Sequence, residues 1–185
     1  MKYKNTVTIG IPPYNEEANI KNLLESLLAQ KQDNFKLLEI IVISDGSTDK
    51  TVAITKSLKS PLVKIMESKN RTGQQVRQNQ LISMFRGDIL IIIEADTLPY
   101  DNKTLNNLVA PFLKETMSEV GMVIGRSIGL SARTLIEEIE SYSIKIKDNL
   151  FSEWKDGDNL YSAGGHAMKA LSRNFTAKLQ IKRED

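Results

Sequence analysis

The sequence contains no cysteine, a single histidine and a single tryptophan. The lack of cysteine excludes disulfide bonds, thiol nucleophiles and thiolate metal sites, and it favours a cytoplasmic location. The histidine, His166, follows two glycines, where a histidine is more often structural than catalytic. A contact to a ligand is the alternative for His166.

The sequence also lacks long hydrophobic runs and a strong excess of charge. No segment approaches the roughly 18 to 20 apolar residues that a membrane-spanning helix needs, and the N-terminus lacks the apolar stretch of a signal peptide. The formal net charge of the 185 residues is +2, which gives no reason to expect a nucleic-acid partner. The length and the hydrophobic content of 41% predict one globular domain with a real core.

The chain is organised around the apolar run Ile-Leu-Ile-Ile-Ile at residues 89–93. This run predicts a strand that is buried on both faces, as in the middle of a parallel sheet. Glu94 and Asp96 follow directly, and ligands of open α/β sheets bind beyond the carboxyl ends of the strands. Two carboxylates at this spacing can bind a divalent cation and a sugar hydroxyl. The alternative is an acidic loop that caps the next helix.

An alternation of strands and helices surrounds this run. Strands are predicted before it at residues 6–11, 39–43 and 62–66, each followed by a helix. Right-handed crossovers then require a mainly parallel central sheet with helices on both faces, so the predicted fold class is α/β. Later elements are predicted at residues 120–125 (strand), 131–150 (a long helix with an apolar stripe) and 160–168 (strand).

Polar side chains follow each predicted strand at the edge where a ligand of the sheet would bind. Tyr14 follows the first strand, Asp45 the second, and a loop with Lys69 and Arg71 the third. A carboxylate such as Asp45 can accept hydrogen bonds from a base or a ribose, and a cationic loop before a helix suits a phosphate. Ordinary solvated loops are the alternative, but convergence on one edge with Glu94 predicts an active site.

Local signals predict how the helices begin and pack. Asn15 is expected to cap the first helix, with Glu16 and Glu17 in the first turn, where the helix dipole favours acids. Val76 and Phe85 are expected on the core face of the third helix.

A series of short motifs runs in order along almost the whole chain. The motifs are Pro-x-Tyr-Asn-Glu after the first strand (residues 9–17), Ser-Asp-Gly-Ser-x-Asp (44–49), Gly73 with Asn79, Glu94-Ala95-Asp96, Gly164-Gly165-His166 and Glu184-Asp185. In this order they resemble the motifs of the inverting family 2 glycosyltransferases, which have the GT-A fold. The resemblance implies a single GT-A domain with a nucleotide-sugar-binding half at residues 1–100 and an acceptor half at residues 101–185.

The resemblance implies specific roles at the donor site. The residues that would hold the donor are Pro12, Tyr14, Glu16, Asp45, Arg71 and Glu94. Among them, the Tyr14 loop and Asp45 would hold the base, and Glu94 would accept a hydrogen bond from the ribose. Asp96 would bind Mn²⁺ or Mg²⁺ bridging the diphosphate, where the cation neutralises the charge of the leaving group.

The resemblance also implies the catalytic chemistry. Asp185 would remove the proton of the acceptor hydroxyl as its oxygen attacks the anomeric carbon from the opposite face, which inverts the configuration. Neither a covalent intermediate nor an organic cofactor is expected. Family members continue past the Glu–Asp pair, so we expect the acceptor half to be incomplete at its C-terminus.

Some positions depart from the family pattern. Glu94 replaces the usual first aspartate of the metal motif, and Ser44 replaces an acid. Gln74 stands where a lysine is frequent, so Arg71 or Lys69 is expected to supply that charge.

The implied function is transfer of a sugar from a UDP- or GDP-sugar to a saccharide, lipid or small-molecule acceptor, without a nucleic-acid partner. The expected location is the cytoplasm, or the cytoplasmic face of a membrane reached through residues that follow Asp185. The alternative is a module that binds a nucleotide or nucleotide sugar without efficient turnover. A nucleotidyltransferase ranks lower, because Pro12 to Asn15 stand where that class has a glycine-rich loop with an arginine.

Overall fold

The computed structural model describes residues 5–113, 120–126, 128, 134–152 and 167–179. Its strands are β1 (Asn5–Ile11), β2 (Phe35–Ser44), β3 (Val63–Glu67), β4 (Ile89–Ile93), β5 (Met122–Ile124) and β6 (Met168–Ser172). Its helices are α1 (Ile20–Leu28), α2 (Thr51–Ser57), α3 (Gln74–Met84), α4 (Thr104–Val109), α5 (Leu135–Ser152) and α6 (Arg173–Lys178), and a 3₁₀ turn covers Ala110–Leu113.

These strands form one sheet in the order β3-β2-β1-β4-β6-β5. β1 to β4 run parallel, whereas β6 is antiparallel to both of its neighbours. The predicted α/β fold with a mainly parallel sheet is therefore confirmed. The antiparallel edge is an addition. An alternation of strands and helices predicts crossovers between parallel neighbours, and it does not reveal that β6 pairs with β4 in the opposite direction.

β4 lies in the middle of the sheet, and all five of its residues are buried, as the apolar run predicts. Ile89, Ile91 and Ile93 pack with residues of α1 and α4 on one side of the sheet. Leu90 and Ile92 pack with residues of α3 on the other side. β4 therefore holds the residues that follow it on a rigid base.

The start of α1 differs from the prediction. α1 begins at Ile20, so Glu16 and Glu17 precede its first turn, and Asn15 is not its cap. Asn15 instead has a positive φ of 55°, and its Oδ1 accepts a hydrogen bond of 2.8 Å from the amide of Thr48. A contact between two loops has replaced the local cap, and a local sequence signal does not reveal such a contact.

The core face of α3 also differs from the prediction. Val76 is 38% exposed, so its assignment to the core is wrong. Phe85 is buried as predicted, and it shares the buried face with Arg77 and Leu81 at a spacing of four residues. Gly10 of β1 allows this close packing, because a Cβ there would lie 2.7 Å from Cδ1 of Leu81.

The elements after α4 have fewer buried residues. In α5 the predicted apolar stripe lies at helical spacing, but its members are 57% to 72% exposed: Leu135, Ile139, Tyr142 and Ile146. β6 begins at Met168, where the strand predicted at residues 160–168 was expected to end, and residues 153–166 lie outside the described residues. In the described ranges, no helix is both long enough and apolar enough to cross a membrane.

Candidate functional site

A cleft with a volume of about 260 Å³ opens at the carboxyl edge of the sheet. Its residues come from the segments that follow β1, β2, β3 and β4, so the fold brings together distant parts of the chain. They are Pro12, Pro13, Tyr14, Glu16, Asp45, Arg71, Gln74, Glu94, Ala95 and Asp96. Every residue that the resemblance assigns to the donor or the metal lies in this set, whereas Lys69 does not line the cleft and Asp185 is outside the described residues.

The segment that carries Tyr14 is fastened to the start of α2. The amide of Glu16 donates to Oγ1 of Thr51 at 2.8 Å, and the amide of Glu17 donates to Oδ2 of Asp49 at 2.9 Å. These bonds hold the backbone that follows Tyr14 against the start of α2. The Tyr14 ring therefore projects from a loop whose position is set by α2.

Asp45 lies at the floor of the cleft and is almost fully buried, with 2% of its surface exposed. Its Oδ1 accepts from the amide of Thr72 at 2.9 Å, from the Thr72 hydroxyl at 3.2 Å and from Nε of Arg77 at 2.7 Å. Its Oδ2 accepts from the amide of Gly73 at 2.9 Å. A carboxylate has about four acceptor positions. Few positions on Asp45 therefore remain to accept a hydrogen bond from a ligand.

Asp45 is nevertheless ionised in this environment. Burial works against the charged form, but the hydrogen bonds from Thr72, Arg77 and Gly73 outweigh it and lower the pKa of the Asp45 carboxyl. Asp45 thus anchors the segment that joins β3 to α3.

Arg77 is a structural member of the site that the sequence did not indicate. It is only 5% exposed, and besides its bond to Asp45 it donates to the carbonyl of Asn70 at 3.0 Å and to Oε1 of Gln80 at 3.0 Å. An arginine among helical polar residues is typical of a solvated surface. Its burial depends on Asp45, which lies 32 positions away in the sequence.

Arg71 and Tyr14 meet across the cleft. The guanidinium carbon of Arg71 lies 3.9 Å from the centroid of the Tyr14 ring, which is the geometry of a cation–π contact. The segment around Arg71 packs directly on the loop after β2, because a Cβ at Gly46 would lie 2.8 Å from the Arg71 amide nitrogen. Gly46 also has a φ of +73°, which other residues adopt only with strain.

Glu94 and Asp96 lie where β4 ends, as the sequence predicts. The amide of Glu94 donates to the carbonyl of Ala167 at 2.8 Å, and Oε1 of Glu94 accepts from Nε2 of Gln74 at 3.0 Å. Asp96 is exposed, and its Oδ1 accepts only a long 3.4 Å bond from the Thr97 hydroxyl among the described residues. Both side chains therefore have oxygen atoms free for a ligand.

Negative charge dominates the rim of the cleft. In the part of the chain that the structure describes, neither Glu16, Glu94 nor Asp96 forms an ion pair with a lysine or arginine. Arg71 is the cation among the lining residues. An anionic ligand such as a diphosphate would be repelled from these carboxylates unless a metal cation entered with it.

Lys169 places a second positive charge near the cleft, and the sequence did not indicate it. Lys169 lies on β6 opposite Ile92, and its Nζ donates to Oε1 of Gln78 at 2.9 Å. Burial lowers the pKa of the Lys169 ammonium, and the charge of Glu94 acts in the opposite direction. Lys169 was missed because the strand was predicted earlier in the chain, and its antiparallel pairing with β4 has no local signal.

A sequence model described as glycosyl transferase family 2 matches residues 8–175 of this chain. Among curated proteins, the undecaprenyl-phosphate 4-deoxy-4-formamido-L-arabinose transferase of Shewanella sediminis is 36% identical over 124 residues. That alignment covers 63% of this chain and 36% of the relative. The chain spans about a third of the length of the curated relatives it matches.

Two solved structures resemble the fold. The mannosyltransferase of Pyrobaculum calidifontis, in complex with GDP-Man and Mn²⁺, has a TM-score of 0.63 at 23% identity, over 94% of this chain and 46% of the other. The glucosyl-3-phosphoglycerate synthase of Mycobacterium tuberculosis, with Mn²⁺, UDP and glucosyl-3-phosphoglycerate, has a TM-score of 0.62 at 21% identity. It aligns over 92% of this chain and 57% of the other. These similarities confirm the predicted GT-A fold.

Proposed function

Because this chain belongs to glycosyl transferase family 2, we propose that it transfers a sugar from a nucleoside diphosphate sugar to an acceptor hydroxyl. The observation that carries the proposal is the meeting of the motif residues around one cleft at the carboxyl edge of the sheet. Ligands of open α/β sheets bind at such an edge. The cleft offers an aromatic ring, a cation and unpaired carboxylates, which are the groups that a base, a diphosphate and a metal-bound sugar donor require.

The donor is assigned to this cleft in three parts. The base is held by Pro12, Tyr14 and Glu16, while Asp45 acts on this site by anchoring the loop that carries Arg71. Glu94 accepts a hydrogen bond from the ribose, and Arg71 supplies positive charge for the diphosphate. The donor is a UDP- or GDP-sugar, a choice supported by two proteins of similar fold whose structures contain GDP-Man and UDP.

The carboxylates at the end of β4 fit a divalent cation, Mn²⁺ or Mg²⁺. No cluster of three metal-binding side chains occurs within the described residues, but a cation that also binds substrate phosphates needs only one or two protein carboxylates. Asp96, with its exposed and weakly bonded oxygens, is the residue that we assign to the cation. When bound, the cation would act as a Lewis acid that stabilises the departing diphosphate.

In the proposed reaction, the acceptor oxygen attacks the anomeric carbon while the bond from that carbon to the diphosphate oxygen breaks. The proton of the acceptor hydroxyl passes to a carboxylate base, which we assign to Asp185 because it belongs to the Glu184–Asp185 motif. Attack opposite the leaving group inverts the anomeric configuration, and a nucleoside diphosphate is the second product. The acceptor is a saccharide, a lipid or a small molecule.

Product formation separates this proposal from a module that binds nucleotide sugars without turnover. The protein is incubated with UDP- and GDP-sugars and Mn²⁺, first with water alone and then with an oligosaccharide, a lipid-linked sugar or 3-phosphoglycerate. We expect release of UDP or GDP and a glycoside of inverted configuration, detected by mass spectrometry and NMR. If the protein binds a donor but forms no product, the binding module is favoured. If it neither binds a donor nor forms a product, both functions are contradicted.

A further inference from the structure

The Arg71 guanidinium covers one face of the Tyr14 ring, and both side chains line the cleft. The guanidinium carbon is 3.9 Å from the ring centroid. Within the described residues Arg71 forms no ion pair, although Glu16, Glu94 and Asp96 line the same cleft. The cation therefore rests on the aromatic ring and not on a carboxylate.

The backbone beneath Arg71 is fixed, so the side chain is the part that can move. The amides of Thr72 and Gly73 each donate to the Asp45 carboxylate at 2.9 Å. The Arg71 amide nitrogen lies against Gly46, with 2.8 Å to the position of a Cβ there. Rotation about the side-chain bonds of Arg71, which is exposed, would move the guanidinium without displacing the loop.

We propose that the base of the donor and the Arg71 guanidinium compete for the Tyr14 ring. Stacking of the base releases the guanidinium, which then pairs with the diphosphate of the same ligand. A nucleoside has to displace the Arg71 guanidinium and forms no contact with it afterwards. A nucleoside diphosphate forms a charge-assisted contact between its phosphates and the displaced guanidinium. Arg71 thereby couples recognition of the base to recognition of the diphosphate and discriminates against free nucleosides. This inference rests on the proposed donor site.

The test compares uridine with UDP, and guanosine with GDP, in the presence of Mg²⁺, by ligand-observed NMR titration. Arg71→Ala should bind the nucleoside about two- to fivefold more tightly, because the cation no longer covers the ring. The same variant should bind the nucleoside diphosphate about fivefold or more weakly, because a charge-assisted contact is lost. The prediction is thus a change of opposite sign for the two ligands.

Two further variants control this experiment. Lys50→Ala removes one positive charge from an exposed residue just before α2 that does not line the cleft, and it should change neither affinity. In a Tyr14→Leu background, Arg71→Ala should no longer strengthen nucleoside binding, because no ring remains to compete for.

The outcomes separate this inference from the proposed function. Suppose that the wild type binds UDP or GDP, but Arg71→Ala changes the affinities for nucleoside and nucleoside diphosphate in the same direction or changes neither. The proposed competition is then wrong, and the proposed donor site is unaffected. Strengthening that persists in the Tyr14→Leu background also overturns the competition. If the wild type binds none of the four ligands, the proposed function and this inference fail together.

Discussion

The sheet carries two groups of acidic residues with opposite surroundings. Glu39, in the middle of β2, is 2% exposed and accepts from Lys64 at 2.6 Å and from Arg86 at 2.8 Å. Glu94 and Asp96, at the end of β4, have no basic partner within 4.0 Å among the described residues. Glu39 is paired with basic residues of the protein itself, so it stabilises the fold. Glu94 and Asp96 have no basic partner in the described part of the chain, so their oxygen atoms can bind a ligand.

Asp45 combines features of both groups. It lines the cleft like Glu94, but protein donors fill most of its acceptor positions, as they do for Glu39. Its main effect on a ligand is therefore indirect, through the loop that carries Arg71. An acidic residue that lines a cleft therefore need not contact the ligand directly.

Asp45→Ala should have the largest effect, because it leaves Arg77 buried without its partner. Loss of one member of a buried ion pair costs about 3 to 5 kcal/mol of folding free energy, measurable by urea denaturation. The variant should also bind UDP or GDP more weakly in Mn²⁺, because the loop that carries Arg71 loses its anchor.

The double variant Asp45→Ala with Arg77→Met sharpens this prediction. Removing both charges should restore part of the stability, because no unpaired charge remains buried, while the binding of UDP or GDP stays weak. If Asp45→Ala leaves both stability and the binding of UDP or GDP unchanged, the anchoring role is wrong.

Glu39→Gln should lower stability with a dependence on pH and leave the cleft intact. The hydrogen bond from Arg86, with the charge of Lys64, overcomes the effect of burial and lowers the pKa of Glu39 from 4.5 to about 2. A lowered pKa gives stability that is present above pH 4.5 and lost as the pH falls toward 2, here about 3 kcal/mol. The stability difference from the wild type should therefore shrink over that interval. A difference that is constant from pH 7 to 3 would contradict the assignment.

Asp96→Ala should abolish the metal-dependent part of nucleoside diphosphate binding while leaving stability almost unchanged. An exposed residue with one long hydrogen bond contributes little to folding. A hundredfold loss of affinity for UDP or GDP in Mn²⁺, about 2.7 kcal/mol, is the scale expected. Asp101→Ala, at another exposed aspartate that follows β4 but does not line the cleft, is the matched control and should bind normally.

Lys169→Met should have the smallest effect. Its charge lies beside Glu94 without a direct ion pair, so we expect about a two- to fivefold loss of affinity for UDP or GDP. Lys178→Met, at an exposed lysine of α6, serves as the control. Equal affinities in both variants would show that Lys169 does not act on the cleft.

The features that the sequence predicted are those with local or alternating signals. The run at 89–93 and the strand–helix alternation identified the parallel part of the sheet, and with it the edge where Asp45, Glu94 and Asp96 meet. The features that it missed depend on contacts between distant residues. Arg77 is buried because of Asp45, and Lys169 reaches the site through the antiparallel pairing of β6. Asn15 bonds to Thr48 instead of capping α1.

Glu39 is paired with basic residues, whereas Asp96 forms no such pair within the ranges that the structure describes. The most direct test of this contrast is one set of calorimetric titrations. The wild type, Asp96→Ala and Glu39→Gln are titrated with UDP and GDP, in Mn²⁺ and again with a chelator, at pH 7 where all three are folded. We predict that the wild type and Glu39→Gln bind one nucleotide equally well and only with Mn²⁺, while Asp96→Ala does not bind it. Metal-dependent binding that survives in Asp96→Ala, or that disappears in folded Glu39→Gln, would contradict the account.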